Sequence, residues 1–187
     1  FNGELFNPDL FTKTLYGFIV FSLLSSSSYL VNDIFDAKYD RLHPQKKYRP
    51  IAGGDLSPEI ALQAAILLSL GALTLSLLLN YGLFLLGLIF LGLHLAYSSG
   101  FKKFAVFDIL AIASSFIIRT FAGEALTGFH LPVWLMMTVI FLSLFIAAGK
   151  RRSELVLEGA KTRPALSAYR QQLLDFYSNQ INHLCRV

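Results

Sequence analysis

Cysteine occurs once in the 187 residues, at Cys185, so no internal disulfide is available. A lone thiol without neighbouring His or Cys ligands also makes no zinc site. Charge is scarce as well: 15% of the residues are charged and 55% are hydrophobic, where a soluble domain has roughly 25% and 45–50%. The mean hydropathy of +0.56 agrees, and the chain is expected in lipid. Alternation of period two is missing from its apolar runs. Since strands survive in lipid only as closed barrels, an all-α fold is expected. The net charge of +4 does not point to nucleic acid, because the basic residues sit in short links between apolar runs, where they set membrane orientation. The chain opens on Phe1 rather than Met, has no signal-peptide pattern, and stops inside a helical pattern around Leu173 to Val187. We expect a piece of a longer protein.

A helix needs about 20 apolar residues to cross roughly 30 Å of hydrocarbon, and five stretches approach that length. They are 14–31, 59–79, 82–98, 105–121 and 131–149. One transmembrane domain, 1–187, is expected, with cytoplasmic loops at 32–58, 99–104 and 150–170. The first of these loops carries Lys38, Arg41, Lys46, Lys47 and Arg49, the second Lys102 and Lys103, and the third Lys150, Arg151, Arg152, Lys161, Arg163 and Arg170. The alternate links, around Asn80 and Tyr81 and from Ala122 to His130, contain no Lys or Arg. The positive-inside rule therefore makes the basic links cytoplasmic. Within the spans, the hydroxyl run Ser25 to Ser28 and the small residues Gly71, Gly87 and Gly92 suit close helix packing.

The passage Asn32-Asp33-Ile34-Phe35-Asp36-Ala37-Lys38-Tyr39-Asp40 follows the first apolar stretch directly. If the helix continues past Val31, Asp33, Asp36 and Asp40 fall on one face. Three carboxylates so placed repel one another unless a cation joins them. Hard oxygen ligands suit Mg²⁺, which keeps several waters and completes its shell with substrate phosphates. A cluster of bases follows at once, so a metal and a phosphate are both expected.

This run, with R-P-I-A-G-G downstream, resembles the first signature of the UbiA superfamily of intramembrane prenyltransferases, whose Asp-rich motif holds a diphosphate through Mg²⁺. The resemblance covers essentially the whole chain and implies a bundle of nine helices, of which about five spans are present. Most members carry a second Asp-rich motif after the sixth helix, for a second Mg²⁺. The matching loop here reads Gly149-Lys150-Arg151-Arg152-Ser153-Glu154, with bases where the acids would stand. Lys and Arg grip phosphate directly, without a bridging metal.

Tyr97, Ser98, Lys102 and Lys103 sit near Asp108, and Asp108 shares a face of the fourth span with Arg119, eleven residues on. Ionisable residues inside a span usually face the bundle interior, which makes both site candidates. With I-I-R-T-F-A-G and G-K-R-R-S-E-L, the pattern looks like the decaprenyl-phosphate phosphoribosyltransferase branch of the superfamily. That branch moves 5-phosphoribose from phosphoribosyl pyrophosphate to a polyprenyl phosphate and releases pyrophosphate. By this resemblance Asp33, Asp36 and Asp40 are the catalytic and Mg²⁺-binding residues, and Asn32 orients them. Lys46, Arg49, Tyr97, Lys102, Asp108, Lys150 and Arg151 contact substrate. The lipid phosphate is already an anion, so no general base is needed, and His43 and His94 stay outside the catalytic set. The expected setting is a prokaryotic inner membrane, with the site facing the cytoplasm.

Two other readings fit part of the pattern. An aromatic or quinone-pathway prenyltransferase would use a polyprenyl diphosphate, which the missing second acidic motif disfavours. A transporter or scaffold binding a divalent ion would place its charges near the bilayer midplane in broken helices, whereas these crowd one face.

Overall fold

A computed structural model describes residues 7–43, 45–100 and 105–159; the side chains of 105, 151 and 153–159 are not part of that description. Among these residues there are helices and no strand. They are α1 (Pro8–Asp40), a 3₁₀ turn (Lys46–Tyr48), the short α2 (Pro50–Gly53), α3 (Pro58–Leu79), α4 (Tyr81–Ser99), α5 (Ala105–Thr127) and α6 (Val133–Gly159). Five of them are long and apolar enough to cross a membrane.

Each start has a local cause. Asn7 accepts a hydrogen bond from the Asp9 amide and Ser57 accepts one from the Ile60 amide, and each is followed by a proline whose φ suits a first helical turn. Asn80 closes α3 and opens α4, its side chain taking the amides of Gly82 and Leu83 at 2.7 and 3.2 Å. Gly128 ends α5 with φ +71°, a left-handed conformation that a Cβ disfavours.

The helices run further than the apolar stretches in them. At 33 residues α1 is about 50 Å long, some 20 Å more than the hydrocarbon layer, so its last turns project beyond it. The acidic passage occupies this projecting end. Likewise α5 continues past Phe121 to Thr127, where Ala122, Glu124, Ala125 and Leu126 are good helix formers.

α1 is the central helix, packed against α3, α4 and α5, with α6 on the outer side of α5. Val20, Phe21 and Leu24 of α1 meet Ala72, Leu83, Phe90, Ile118 and Ala122 in the core. Phe21 and Phe90 stack edge to face at 5.4 Å between centroids. Gly87 lets α4 approach, since a Cβ there would stand 3.3 Å from Leu24 Cδ1 and 3.4 Å from Leu73 Cδ2. Ser27 ties α1 to α3 through Ala65 O at 2.9 Å and Ser69 Oγ at 2.6 Å. A second small core, Ala37, Ile51 and Ala61 with Leu30, Ile34 and Leu56, clamps α2 against the end of α1. It positions the site.

Candidate functional site

The end of α1 carries four polar side chains in helical register. Asn32 donates to Asp36 Oδ2 through Nδ2 at 3.1 Å, one turn apart. Asp33 and Asp40, two turns apart on the same face, both receive Arg49 Nη1, at 2.8 and 2.9 Å. Asp40 is 4% exposed, so its charge depends on that partner.

Arg49 reaches both acids because the chain folds back after α1. His43 Nδ1 accepts the amides of Gln45 and Lys46, each at 3.2 Å, which starts the 3₁₀ turn. Ile51 and Ala52 are then buried against α1, and Arg41 Nε donates to Ala52 O at 3.2 Å. Gly54, at φ +93°, lets the chain leave α2 for α3. Arg49 lies between the turn and α2, held over the acids by the packing on either side.

This arrangement alters one expectation. The spacing puts Asp33, Asp36 and Asp40 together on one ion, but Asp40 is occupied by Arg49 and buried beneath it. No group of three His, Cys, Asp or Glu side chains is gathered for a metal among the described residues. Arg49, expected on substrate phosphate, pairs with Asp33 and Asp40. Two carboxylates, Asp33 and Asp36, remain at the mouth of the site.

The fit to a hard cation rests on Asn32. Its Oδ1 is buried and has no hydrogen-bond partner, which leaves a strong acceptor unsatisfied beside Asp36. A divalent ion answers both needs at once. Mg²⁺ requires only one or two carboxylates when phosphates and waters complete its shell, so Asn32, Asp33 and Asp36 are a suitable donor set.

The remaining expected contacts spread over the same end of the bundle. Lys46 opens the 3₁₀ turn, within electrostatic reach of Asp33. Tyr97 stands half-buried near the end of α4, and Asp108 lies in the first turn of α5, 2% exposed. Lys150 is exposed on α6. Lys102 lies outside the described residues, as does the side chain of Arg151. Arg119 does not pair with Asp108, although both share a face of α5; its Nη2 donates to Ser25 Oγ at 2.8 Å. Sequence reasoning missed that partner and the open valence of Asn32, since both depend on packing between distant segments. The charge of Arg119 inside an apolar run was the available signal.

The UbiA prenyltransferase family matches residues 2–161. A decaprenyl-phosphate phosphoribosyltransferase of Mycolicibacterium smegmatis is 40% identical over 171 residues, covering 90% of this chain and 54% of that protein. One from Mycobacterium tuberculosis is 38% identical over 171 residues, covering 90% and 57%. The chain therefore spans a little over half the length of these curated relatives. Among solved structures, a UbiA homolog from Archaeoglobus fulgidus bound to GPP and Mg²⁺ superposes with a TM-score of 0.72 at 22% identity, over 89% of this chain and 62% of that one. The fold is shared.

Proposed function

The chain belongs to the UbiA prenyltransferase family, and on that premise we propose that it forms the core of a Mg²⁺-dependent membrane transferase moving 5-phosphoribose from phosphoribosyl pyrophosphate to a polyprenyl phosphate. The observation that carries the metal and diphosphate part is the unsatisfied Oδ1 of Asn32 beside Asp36 and Asp33. The choice of phosphoribose is supported by relatives of that name at 38–40% identity. The bases at Lys150, Arg151 and Arg152, standing where a second acidic motif would be, agree with it.

Asn32, Asp33 and Asp36 would hold Mg²⁺ at the donor pyrophosphate, where the ion would supply positive charge to the leaving group. Asp40 fixes Arg49, whose guanidinium keeps Asp33 oriented and adds positive potential along the path of the leaving group. Lys46, Lys150 and Arg151, with Lys102 and Tyr97, bind the other phosphate oxygens. Asp108 helps to order that side of the site. The acceptor phosphate supplies its own lone pair to the anomeric carbon, so no side chain need remove a proton. The bases flanking this end support a cytoplasmic position for it.

Radiolabelled phosphoribosyl pyrophosphate with polyprenyl phosphate, run against labelled polyprenyl diphosphate with 4-hydroxybenzoate, tests the reading in membranes containing the intact protein. A labelled lipid from the first pair only is the expected result. Product from the second pair alone would move the assignment to aromatic prenyl transfer.

A further inference from the structure

Arg119 is a half-buried charge within an apolar span, and among the described residues no carboxylate pairs with it. Its one hydrogen bond among the described residues runs from Nη2 to Ser25 Oγ at 2.8 Å. Its guanidinium carbon lies 5.1 Å from the centre of the Phe90 ring and 5.9 Å from that of Phe116. A hydroxyl and two ring faces solvate a cation without neutralising it. An ionised group in this position is costly, and it is rarely retained in a span without an anionic or aqueous partner.

His94 adds a second, independent observation. Its ring packs on the same Phe90 at 4.4 Å between centroids, and its Nε2 is buried without a hydrogen-bond partner. The same histidine lines a cavity of about 170 Å³ together with Ser28, Val31, Ser69, Leu91 and Leu95. A cation without a counter-charge and an unpartnered imidazole nitrogen thus flank one aromatic ring, with the cavity on the His94 side.

Their position relative to the acidic end follows from α1. Ser25, which holds Arg119, is eight residues before Asp33, about 12 Å along the helix axis. Ser25, Asn32 and Asp36 fall in one line on the helix surface, with Ser28 beside it. Polar side chains of α1 therefore run from the carboxylates to the Ser25 that holds Arg119.

We propose that Arg119, oriented by Ser25 and flanked by His94 across Phe90, binds a phosphate monoester inside the bundle beneath the Asp33 and Asp36 site. This inference rests on the transferase reading, in which two such monoesters exist: the phosphate of the lipid acceptor and the 5-phosphate of the donor. Either one supplies the missing counter-charge. Arg119 is a binding residue here and takes no part in proton transfer.

The test uses the intact protein in lipid nanodiscs, as wild type, Arg119→Gln, Arg119→Lys and Ser25→Ala. One readout needs no catalysis, namely the shift in unfolding midpoint caused by farnesyl phosphate, with farnesol as control. The other is the KM of each substrate. For an acceptor site, farnesyl phosphate and not farnesol raises the midpoint of the wild type, and Arg119→Gln abolishes the rise. The KM for polyprenyl phosphate then grows about tenfold or more, as loss of one charge-assisted hydrogen bond implies, while that for phosphoribosyl pyrophosphate holds. Arg119→Lys gives a smaller change. A rise confined to the KM for phosphoribosyl pyrophosphate assigns the site to the ribose 5-phosphate instead.

If Arg119→Gln fails to fold, Ser25→Ala keeps the charge and removes its support, and a rise of about threefold in one of the same KM values is expected. Variants that match the wild type in both KM values and in the farnesyl phosphate shift overturn the proposal. A farnesyl phosphate shift that requires Arg119, in a wild type that transfers no phosphoribose, retains the anion site and removes the transferase reading.

Discussion

Asp36 and Asp40 stand one turn apart on the same helix, yet their surroundings give them different work. Asp36 accepts from Nδ2 of Asn32, whose Oδ1 is unpartnered, while Asp40 is buried under Arg49. Asp36→Asn is expected to lower kcat about 100-fold, the usual scale for losing one element of leaving-group stabilisation, with little change in unfolding midpoint. Asp40→Asn should show its primary effect on stability, a loss of about 2 kcal/mol for a buried charged hydrogen bond, read from denaturant unfolding in detergent. A variant at Asp40 as stable as the wild type would show that Arg49 is not held as described. The acidic spacing was legible in the sequence because helical periodicity alone sets it. The pairing of Arg49 was not, because it depends on Ile51 and Ala52 packing against α1 after a turn whose shape His43 determines.

At the scale of elements, the bundle depends on close approach at a few small residues and on caps. Gly87 faces Leu24 and Leu73 at van der Waals range, so Gly87→Leu forces α4 away from α1 and α3 and is expected to destabilise by about 1–3 kcal/mol. Asn80→Ala removes the acceptor for two amides at the start of α4 and should cost about 1 kcal/mol, measured by the same unfolding experiment. Hydropathy identified the apolar centres of these helices but not their ends. It cannot see a helix that continues where polarity rises, as α1 does through Asn32 to Asp40 and α5 through Gly123 to Thr127. In both cases caps and contacts with neighbours, rather than lipid, decide where the helix stops.

For the whole molecule, the account requires the groups that meet the metal and the pyrophosphate to sit at one side of the bilayer. Helix direction alternates from α1 through α3, α4, α5 and α6, so the end of α1, the start of α3, the end of α4 and the start of α5 share a side, to which α6 returns. With Cys185 replaced by Ser, Lys47→Cys should react with a membrane-impermeant maleimide only in inside-out vesicles, and Phe129→Cys only in right-side-out cells; both positions are exposed. Labelling in the opposite sense would reverse the orientation read from the basic links. The expectation of that orientation comes from the Lys and Arg distribution. The deep position of Arg119 against Ser25 was hidden, since residues 94 apart in the chain meet only once α5 is packed on α1.

The central claim is that Asn32, Asp33 and Asp36 share a divalent ion with the pyrophosphate of the donor. Mn²⁺ in place of Mg²⁺ makes this visible by electron paramagnetic resonance of the intact protein, titrated with and without phosphoribosyl pyrophosphate. Weak binding of Mn²⁺ alone, tightened at least about tenfold by the donor and lost in Asp33→Asn and Asp36→Asn, is the result predicted. Mn²⁺ and donor binding as well to both variants as to the wild type would contradict it.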